Sequence, residues 1–382
     1  MTTIDSEITD RLIAHLRDDT TDMAADDLLV PIDNFVSPRR AAEERDLMRS
    51  LPVVAGLSSE IAAPGAFLTR QILGIPLIIS RRSDGSVGCL VNMCRHRGGR
   101  VENEACGSKR FFSCAYHGWT YQADGGDLVR VPYEQFFGSV HLPENGLRQV
   151  RIQERHGLLW VTLSGDGPGV ADYLGPEVER QLELCDLEGS TTIFLDKSIP
   201  LDINWKLVLD GSIDILHPKF LHPNGVGKLI ETQTSVWLDY GRHGQNFSPR
   251  RKMTKLAKAG EPIEAASSYV GSNVFIYPNV NVIAAPDHVE FWTVWPDDRD
   301  PTKSVTQIRF LINPSKLDDR MRARLTRSWE ILEQAAVEED WPMAASIQAN
   351  AVACPEGSFR YGRNELSCAH MHRQLGRDLG EV

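Results

Sequence analysis

Two short units of this chain carry residues that could do chemistry: Cys94-Arg95-His96 and Cys114-Ala115-Tyr116-His117, separated by residues 97–113. Each offers one thiolate and one imidazole. Dealt out asymmetrically, the two thiolates can hold one iron of a [2Fe–2S] cluster and the two imidazoles the other. Neutral imidazoles in place of thiolates reduce the negative charge of such a cluster and raise its reduction potential. A centre built from Cys94, His96, Cys114 and His117 would pass single electrons under mild conditions. A structural zinc site of Cys2His2 composition uses the same residue types, but it pairs Cys with Cys and His with His. Here each unit mixes the two. Glycines at 98, 99, 107 and 118 let backbone approach closely, as a loop packed on a cluster requires.

A second set of candidates lies downstream: Asn204-Trp205-Lys206, then Asp210, Asp214, His217 and His222. Two imidazoles and one carboxylate on one face of a metal form the facial triad of non-haem Fe(II) oxygenases, with positions left open. The spacing of His217 and His222 does not put both on one helical face. Pro218 disfavours helical geometry at His217 and can begin a new turn, so the imidazoles are expected to converge across a break.

The runs Cys-Arg-His-Arg-Gly-Gly-Arg at 94–100 and Cys-Ala-Tyr-His-Gly-Trp-Thr-Tyr at 114–121 resemble the Rieske iron–sulfur domain. Asn204-Trp205-Lys206 followed by Asp214-Ile215-Leu216-His217-Pro218-Lys219-Phe220-Leu221-His222-Pro223 resembles the catalytic motif of Rieske non-haem iron oxygenases, the aromatic-ring-hydroxylating family. Leu216 is a departure, since many relatives carry an aromatic residue there. The resemblance implies that His217 and His222 bind iron and that Asn204 belongs to the catalytic constellation. Glu338-Glu339-Asp340-Trp341 followed by Gln348 resembles the family's Glu-Asp…Gln segment, which makes Asp340 the third ligand and Glu339 its rival. By the same resemblance Asp214 is not a ligand. It would bridge His217 to the second Rieske histidine, His117, of a neighbouring subunit, in keeping with the partner that a ligating imidazole needs on its other nitrogen. Tyr361-Gly362-Arg363-Asn364-Glu365 resembles the C-terminal stretch of some members. Cys368, His370 and His372 are read as surface or packing residues of a polar terminal segment.

The activity implied is that of a terminal oxygenase holding a [2Fe–2S] cluster and a mononuclear Fe(II). It would use O2 and NAD(P)H-derived electrons to dihydroxylate an aromatic substrate, carboxylated aromatics included. O- or N-demethylation by monooxygenation is the alternative within the family. A Rieske or zinc protein that only carries electrons or mediates assembly is the reading outside it. No Gly-x-Gly-x-x-Gly element occurs, so flavin and NAD(P)H are assigned to a separate reductase or ferredoxin partner. The family implies a homotrimer.

The elements that must position these residues follow from the rest of the chain. With 382 residues and an ordinary globular composition, two domains are expected. A net charge of −11 argues against nucleic acid or an anionic membrane as partner. No run of about 18 apolar residues occurs, and the N-terminus lacks the marks of a signal peptide, so a cytoplasmic location is expected. The cysteines other than 94 and 114 show no framework spacing, which fits free thiols in a reducing compartment.

Ile8, Leu12, Ile13 and Leu16 recur at helical spacing. From Phe67, short apolar runs broken by Gly and Asp read as strands at 67–69, 75–79, 87–91 and 158–163. Residues 45–165 are therefore read as a Rieske β domain and 1–44 as an N-terminal helical part of the catalytic domain. After the turn formers Gly165–Gly169, residues 166–382 give a strand at 193–199, helical spacing over Trp205–Leu216, strands within 273–312 and a long helical pattern over 315–353. Pro342 is expected to break or kink that pattern. The fold class is α+β: the Rieske β domain plus a helix-grip-like catalytic domain with an antiparallel sheet and flanking helices. Arg242–Ala259, rich in Arg and Lys, is read as a solvated surface loop, or as a basic lid over an anionic substrate.

Overall fold

The computed structural model describes residues 5–140, 143–188, 191–263, 268–285 and 287–381. The chain divides into two compact units, one of them Met48–Tyr173 with residues 188–190, the other the remainder. The first 47 residues cluster with the second half of the chain. The later boundary lies beside Gly175, where the helix Val170–Cys185 leaves helical dihedrals ahead of Pro176.

The smaller unit is built of antiparallel sheets. Strands Val87–Val91, Ile75–Arg81, Ala66–Ile72 and Cys106–Ser108 lie side by side in that order. Strands Phe111–Ser113, Thr120–Gln122 and Leu128–Arg130 form a second sheet. Strand Leu158–Thr162 sits between Arg151–Arg155 and Val53–Leu57 in a third. Phe67, Ile78, Leu90, Phe112 and Tyr121 form one buried cluster, and Cys94 and Cys114 belong to it. A tight turn joins Ile75–Arg81 to Val87–Val91, with Arg82 N–H donating to the Ser86 carbonyl.

The larger unit centres on a seven-stranded antiparallel sheet. Its order is Thr192–Leu201, Ser304–Ile312, Val289–Pro296, Val280–Ala284, Val270–Ile276, His243–Pro249 and Val236–Tyr240. Helix Trp205–Ile213 packs on the sheet and against helices Trp341–Ala353 and Leu366–Asp378. The amphipathic start of the chain is the helix Ser6–Asp18, with Ile8, Leu12 and Leu16 buried.

Three expectations are corrected here. Arg242–Ala259 is no loop: it is the strand His243–Pro249 and the helix Arg251–Ala259. Met253 and Ala257, spaced for one helical face, bury against Leu12 and Leu16 while the Lys and Arg side chains point away from that core. The stretch holding Cys368, His370 and His372 is a buried helix, not a polar tail: all three are less than 9% exposed. Their part is packing and hydrogen bonding. His372 Nε2 lies 3.0 Å from the Asp210 carboxylate and His370 Nε2 bonds the Arg242 carbonyl.

The third correction concerns Pro342. The helix Asp319–Glu333 runs into a π-helical segment, Gln334–Asp340, and continues without a break into Trp341–Ala353. Proline removes an N–H donor from the ladder, and a π-bulge is one way for a helix to absorb the loss without breaking.

Helix Trp205–Ile213 carries an unusual load in the core. Lys206, 1% exposed, places its Nζ 2.8 and 2.7 Å from the two oxygens of Glu44. Arg40 Nε and Trp205 Nε1 donate to the same carboxylate at 2.9 and 3.0 Å. Desolvation lowers the Lys206 pKa even with Glu44 opposing it. Breaking a buried pair strands the other charge, so Lys206→Met is expected to destabilise the protein by about 3–5 kcal/mol, measured by chemical denaturation. An unchanged midpoint would show that Arg40 and Trp205 suffice for Glu44.

Candidate functional site

The two cysteine loops have the same backbone design. Cys94 N–H donates to the Gly99 carbonyl at 2.8 Å and Gly98 N–H returns to the Cys94 carbonyl at 2.9 Å. Cys114 N–H donates to the Trp119 carbonyl at 2.9 Å and Gly118 N–H returns to Cys114 at 2.8 Å. Gly98 and Gly118, four residues after each cysteine, have φ of 80° and 70°, a region that favours glycine. The loops face one another. The rings of His96 and His117 lie 4.5 Å apart, and a Cβ on Gly99 would stand 3.3 Å from Cys114 Sγ.

Trp119 stacks on His96, and Tyr121 O–H lies 3.3 Å from Cys94 Sγ while accepting Arg95 N–H at 2.9 Å. Burial, with Cys114 close by, pushes the Cys94 thiol up, and desolvation holds the His117 imidazole below its ordinary value, with His96 and Arg97 adding to the effect. His96 Nδ1 is buried with no hydrogen-bond partner among the described residues. Two facing thiols, two facing imidazoles and an orphaned ring nitrogen suit a [2Fe–2S] cluster held by Cys94, His96, Cys114 and His117.

The second constellation begins where helix Trp205–Ile213 ends. Asp214 is extended, with φ −70° and ψ 137°, and its carboxylate caps the next turn. Oδ1 accepts Leu216 N–H at 2.8 Å, and Oδ2 accepts His217 N–H at 3.3 Å and His217 Nδ1 at 2.8 Å. The break therefore lies at Asp214 and not at His217. His217 is itself helical, with φ −63° and ψ −28°, despite the proline after it. The bonds from Asp214 outweigh the pre-proline preference.

Pro218–Leu221 forms one helical turn, and His222 follows it. Gly227 lies under this turn: its N–H donates to the His222 carbonyl at 3.2 Å, and a Cβ there would stand 2.1 Å from the Pro218 carbonyl oxygen. Only glycine allows that approach.

His217 Nε2, His222 Nε2 and Asp340 Oδ1 converge. Asp340 Oδ1 is 3.2 Å from the first and 2.9 Å from the second, and the two nitrogens are 3.2 Å apart. Their ligand atoms all lie within 4.8 Å of one another, as the donors of a single metal ion must. Glu339, the rival ligand, is on the other side of the ring: its carboxylate pairs with His222 Nδ1. On a regular helix neighbouring residues point about 100° apart. The π segment presents Glu339 and Asp340 to opposite nitrogens of one imidazole.

Burial works to lower the His217 pKa, yet the bonds to Asp214 and Asp340 push it up to about 9. Burial works to raise that of Asp214, and His217 and the backbone hold it below the ordinary carboxylate value. Donor set, spacing and outer partners fit a mononuclear Fe(II) site. A cavity of about 490 Å³ opens on it. Its walls include Val226, Ile230, Ile283, Trp292 and Leu332.

The family described as ring hydroxylating alpha subunit (catalytic domain) matches residues 189–381, half of the chain, and the Rieske [2Fe-2S] domain matches residues 52–145. The chain belongs to the ring-hydroxylating alpha-subunit family.

This alpha subunit is 30% identical over 223 residues to the glycine betaine monooxygenase oxygenase subunit of Chromohalobacter salexigens, across 57% of its own length and 49% of that protein's. It thus spans about half the length of such relatives. It is 34% identical over 304 residues to the biphenyl 2,3-dioxygenase subunit alpha of Rhodococcus jostii, across 67% of this chain and 66% of the other. A crystal structure of a quaternary ammonium Rieske monooxygenase shares the fold, with a TM-score of 0.78 at 16% identity over 96% of this chain and 97% of that one.

Of the residues singled out in the sequence of this alpha subunit, the structure brings together His217, His222, Asp340 and Asp214. It does not bring Asn204 to them. Asn204 is the N-cap of helix Trp205–Ile213, its Oδ1 accepting Lys206 N–H at 3.0 Å. Its Nδ2 donates to the Phe35 and Pro301 carbonyls, so the side chain is committed to structure. Gln348 belongs to the same lock, accepting Asn204 N–H at 2.8 Å. Sequence reasoning missed the outer role of Glu339 and the polar wall of Asp287, His288 and Glu290 in the cavity.

Replacing the outer partner of a ligating histidine costs about 10–100-fold in metal affinity. Glu339→Ala is expected to weaken iron binding by that factor with the visible spectrum of the cluster unchanged, whereas Asp340→Ala should abolish mononuclear iron binding. Iron titration of the two variants, followed by metal analysis, distinguishes them. Equal and complete loss of iron in both would make Glu339 a ligand.

Proposed function

We propose that this chain is the terminal oxygenase component of a Rieske oxygenase system, inserting oxygen from O2 into a small organic substrate. The observation that carries this is the His217–His222–Asp340 triad opening on an apolar-walled cavity. A protein that only carried electrons would have no use for a second iron site facing a chamber. When bound, the [2Fe–2S] cluster supplies single electrons and the Fe(II) supplies open positions for O2.

The chain's own residues supply the rest. Asp214 and Glu339 hold His217 and His222 by their outer nitrogens, which fixes the ring orientation and keeps Nε2 of each directed at the metal. The apolar walls exclude water and keep the substrate's reacting carbon against the triad. Ring dihydroxylation of an aromatic and monooxygenation at a methyl group both fit this arrangement, because the pose of the substrate decides which carbon faces the metal.

Asp214 would link the two metal sites, as a carboxylate held between one histidine of each. A carboxylate has about four acceptor sites. Three are taken by Leu216 N–H, His217 N–H and His217 Nδ1, which leaves one for His117 of the partner subunit in a homotrimer. A separate reductase or ferredoxin, charged by NAD(P)H, is the electron source, and the net charge of −11 suits a positively patched partner. Among the described residues no helix is long and apolar enough to cross a membrane.

Two measurements test this function. Metal analysis should find about three irons per chain, two of them in the cluster; about two would leave only the electron carrier. Asp214→Asn should keep both metals while slowing O2-dependent reoxidation of the reduced cluster by about 10–100-fold in a single turnover. An unchanged rate removes Asp214 from the electron route.

A further inference from the structure

The cavity has one wall whose polar groups the iron site does not use. Along strand Val289–Pro296 side chains alternate between faces, so Glu290 and Trp292 share one face, and both line the cavity with His288 just ahead of them. Opposite Glu290 in the sheet lies Ile283, also in the lining.

The charges facing the cavity divide sharply by their partners. His217, His222, Asp340 and Asp214 belong to the iron site. Asp287 is consumed: Oδ1 lies 2.8 Å from His288 Nδ1 and Oδ2 2.5 Å from Arg324 Nε. Arg250 and Arg324 are exposed, so solvent and salt screen them. Glu290 is different. Its side chain is 16% exposed, and its one polar contact among the described residues is His288 Nε2 at 3.5 Å. This is a loose ion pair, longer than the about 2.7–2.9 Å of a charge-assisted hydrogen bond. His288 Nε2 and Trp292 Nε1 are buried with no hydrogen-bond partner among the described residues, in residues that are 5% and 6% exposed.

A largely buried carboxylate held only by a loose ion pair still gains from a closer cationic partner. Here the space beside it is a ligand cavity, and the next residue on the same face is an indole, the aromatic ring that attracts cations most strongly. We propose that Glu290 and Trp292 form a subsite for a positively charged nitrogen, so that the substrate is an organic cation with an apolar body. The apolar body lies against Ile283, Ile230 and Leu332, and the carboxylate of Glu290 neutralises the cationic end. Glu290 is therefore a specificity-determining residue. This inference rests on the cavity being the substrate site of the proposed oxygenase.

The test uses the iron-loaded holoprotein under anaerobic conditions, with two probes of the same shape: trimethylphenylammonium and its neutral isostere tert-butylbenzene. Equilibrium dialysis should show the cation bound at least about tenfold more tightly, the factor that one charge-assisted contact supplies. Glu290→Gln should remove that preference without changing the affinity for tert-butylbenzene, the iron content or the spectrum of the cluster. Trp292→Phe should retain most of the preference and Trp292→Leu should lose it, which guards against a variant that merely misfolds. Equal binding of the two probes to the wild type, or an unaltered preference in Glu290→Gln, overturns the subsite. Oxygen uptake is recorded separately. A cation preference without uptake would remove the oxygenase function and leave the subsite standing. Uptake driven by tert-butylbenzene with no preference would do the reverse.

Discussion

The candidate iron site depends on one interruption of the backbone, at Asp214. Helix Trp205–Ile213 is pinned at its start by Asn204 and along its buried face by the Lys206–Glu44 pair, so its end is fixed in space. At that end Asp214 turns extended and its carboxylate gathers the N–H groups of Leu216 and His217. That single residue stops one helix, starts the next turn and takes Nδ1 of His217. The helix Leu366–Asp378 and the strand Ser358–Tyr361 before it secure the same helix: Ser367 Oγ donates to the Ile213 carbonyl at 2.9 Å, and Tyr361 O–H and His372 bond the Asp210 carboxylate. A helix end leaves carbonyls without intrahelical partners, and here the elements around the site supply them.

Much of this was open to inspection in the chain itself because the signals are local. Cys94 and Cys114 are each followed four residues later by a glycine, and each loop closes on itself through hydrogen bonds that span five residues. Nothing distant is needed to form such a loop. The same holds for the strands of the smaller unit, whose short apolar runs and Gly-containing turns specify hairpins. His217, His222 and Asp340 were legible by residue type and resemblance, although they come from two segments far apart in sequence.

What was not legible depends on tertiary contacts. Pro218 argues for an extended His217, and a carboxylate three residues earlier overrides it. Pro342 argues for a broken helix, and a π segment absorbs the loss and turns Glu339 and Asp340 to the two nitrogens of His222. Asn204 sits in a motif beside catalytic residues, yet its side chain is spent on a helix cap. Arg242–Ala259 looks solvated by composition, because Met253 and Ala257 are too few to mark a buried face unless the helix they contact is known.

The cavity wall shows the same limit most clearly. Val289-Glu290-Phe291-Trp292-Thr293-Val294 reads as a half-buried strand, and alternation alone puts Glu290 on the face that water would be expected to reach. The segments that cover that face, the turn holding His217 and His222 and the π segment holding Asp340, are the same ones that carry the proposed iron ligands. Covering converts a solvent-facing row of the sheet into the floor of a chamber, and a carboxylate that cost nothing in water becomes one that wants a partner. The division of labour in the larger unit follows from this geometry. The helical segments carry the metal chemistry, while one face of one strand meets the substrate, so residues such as Glu290 can change what is bound without disturbing the site that acts on it.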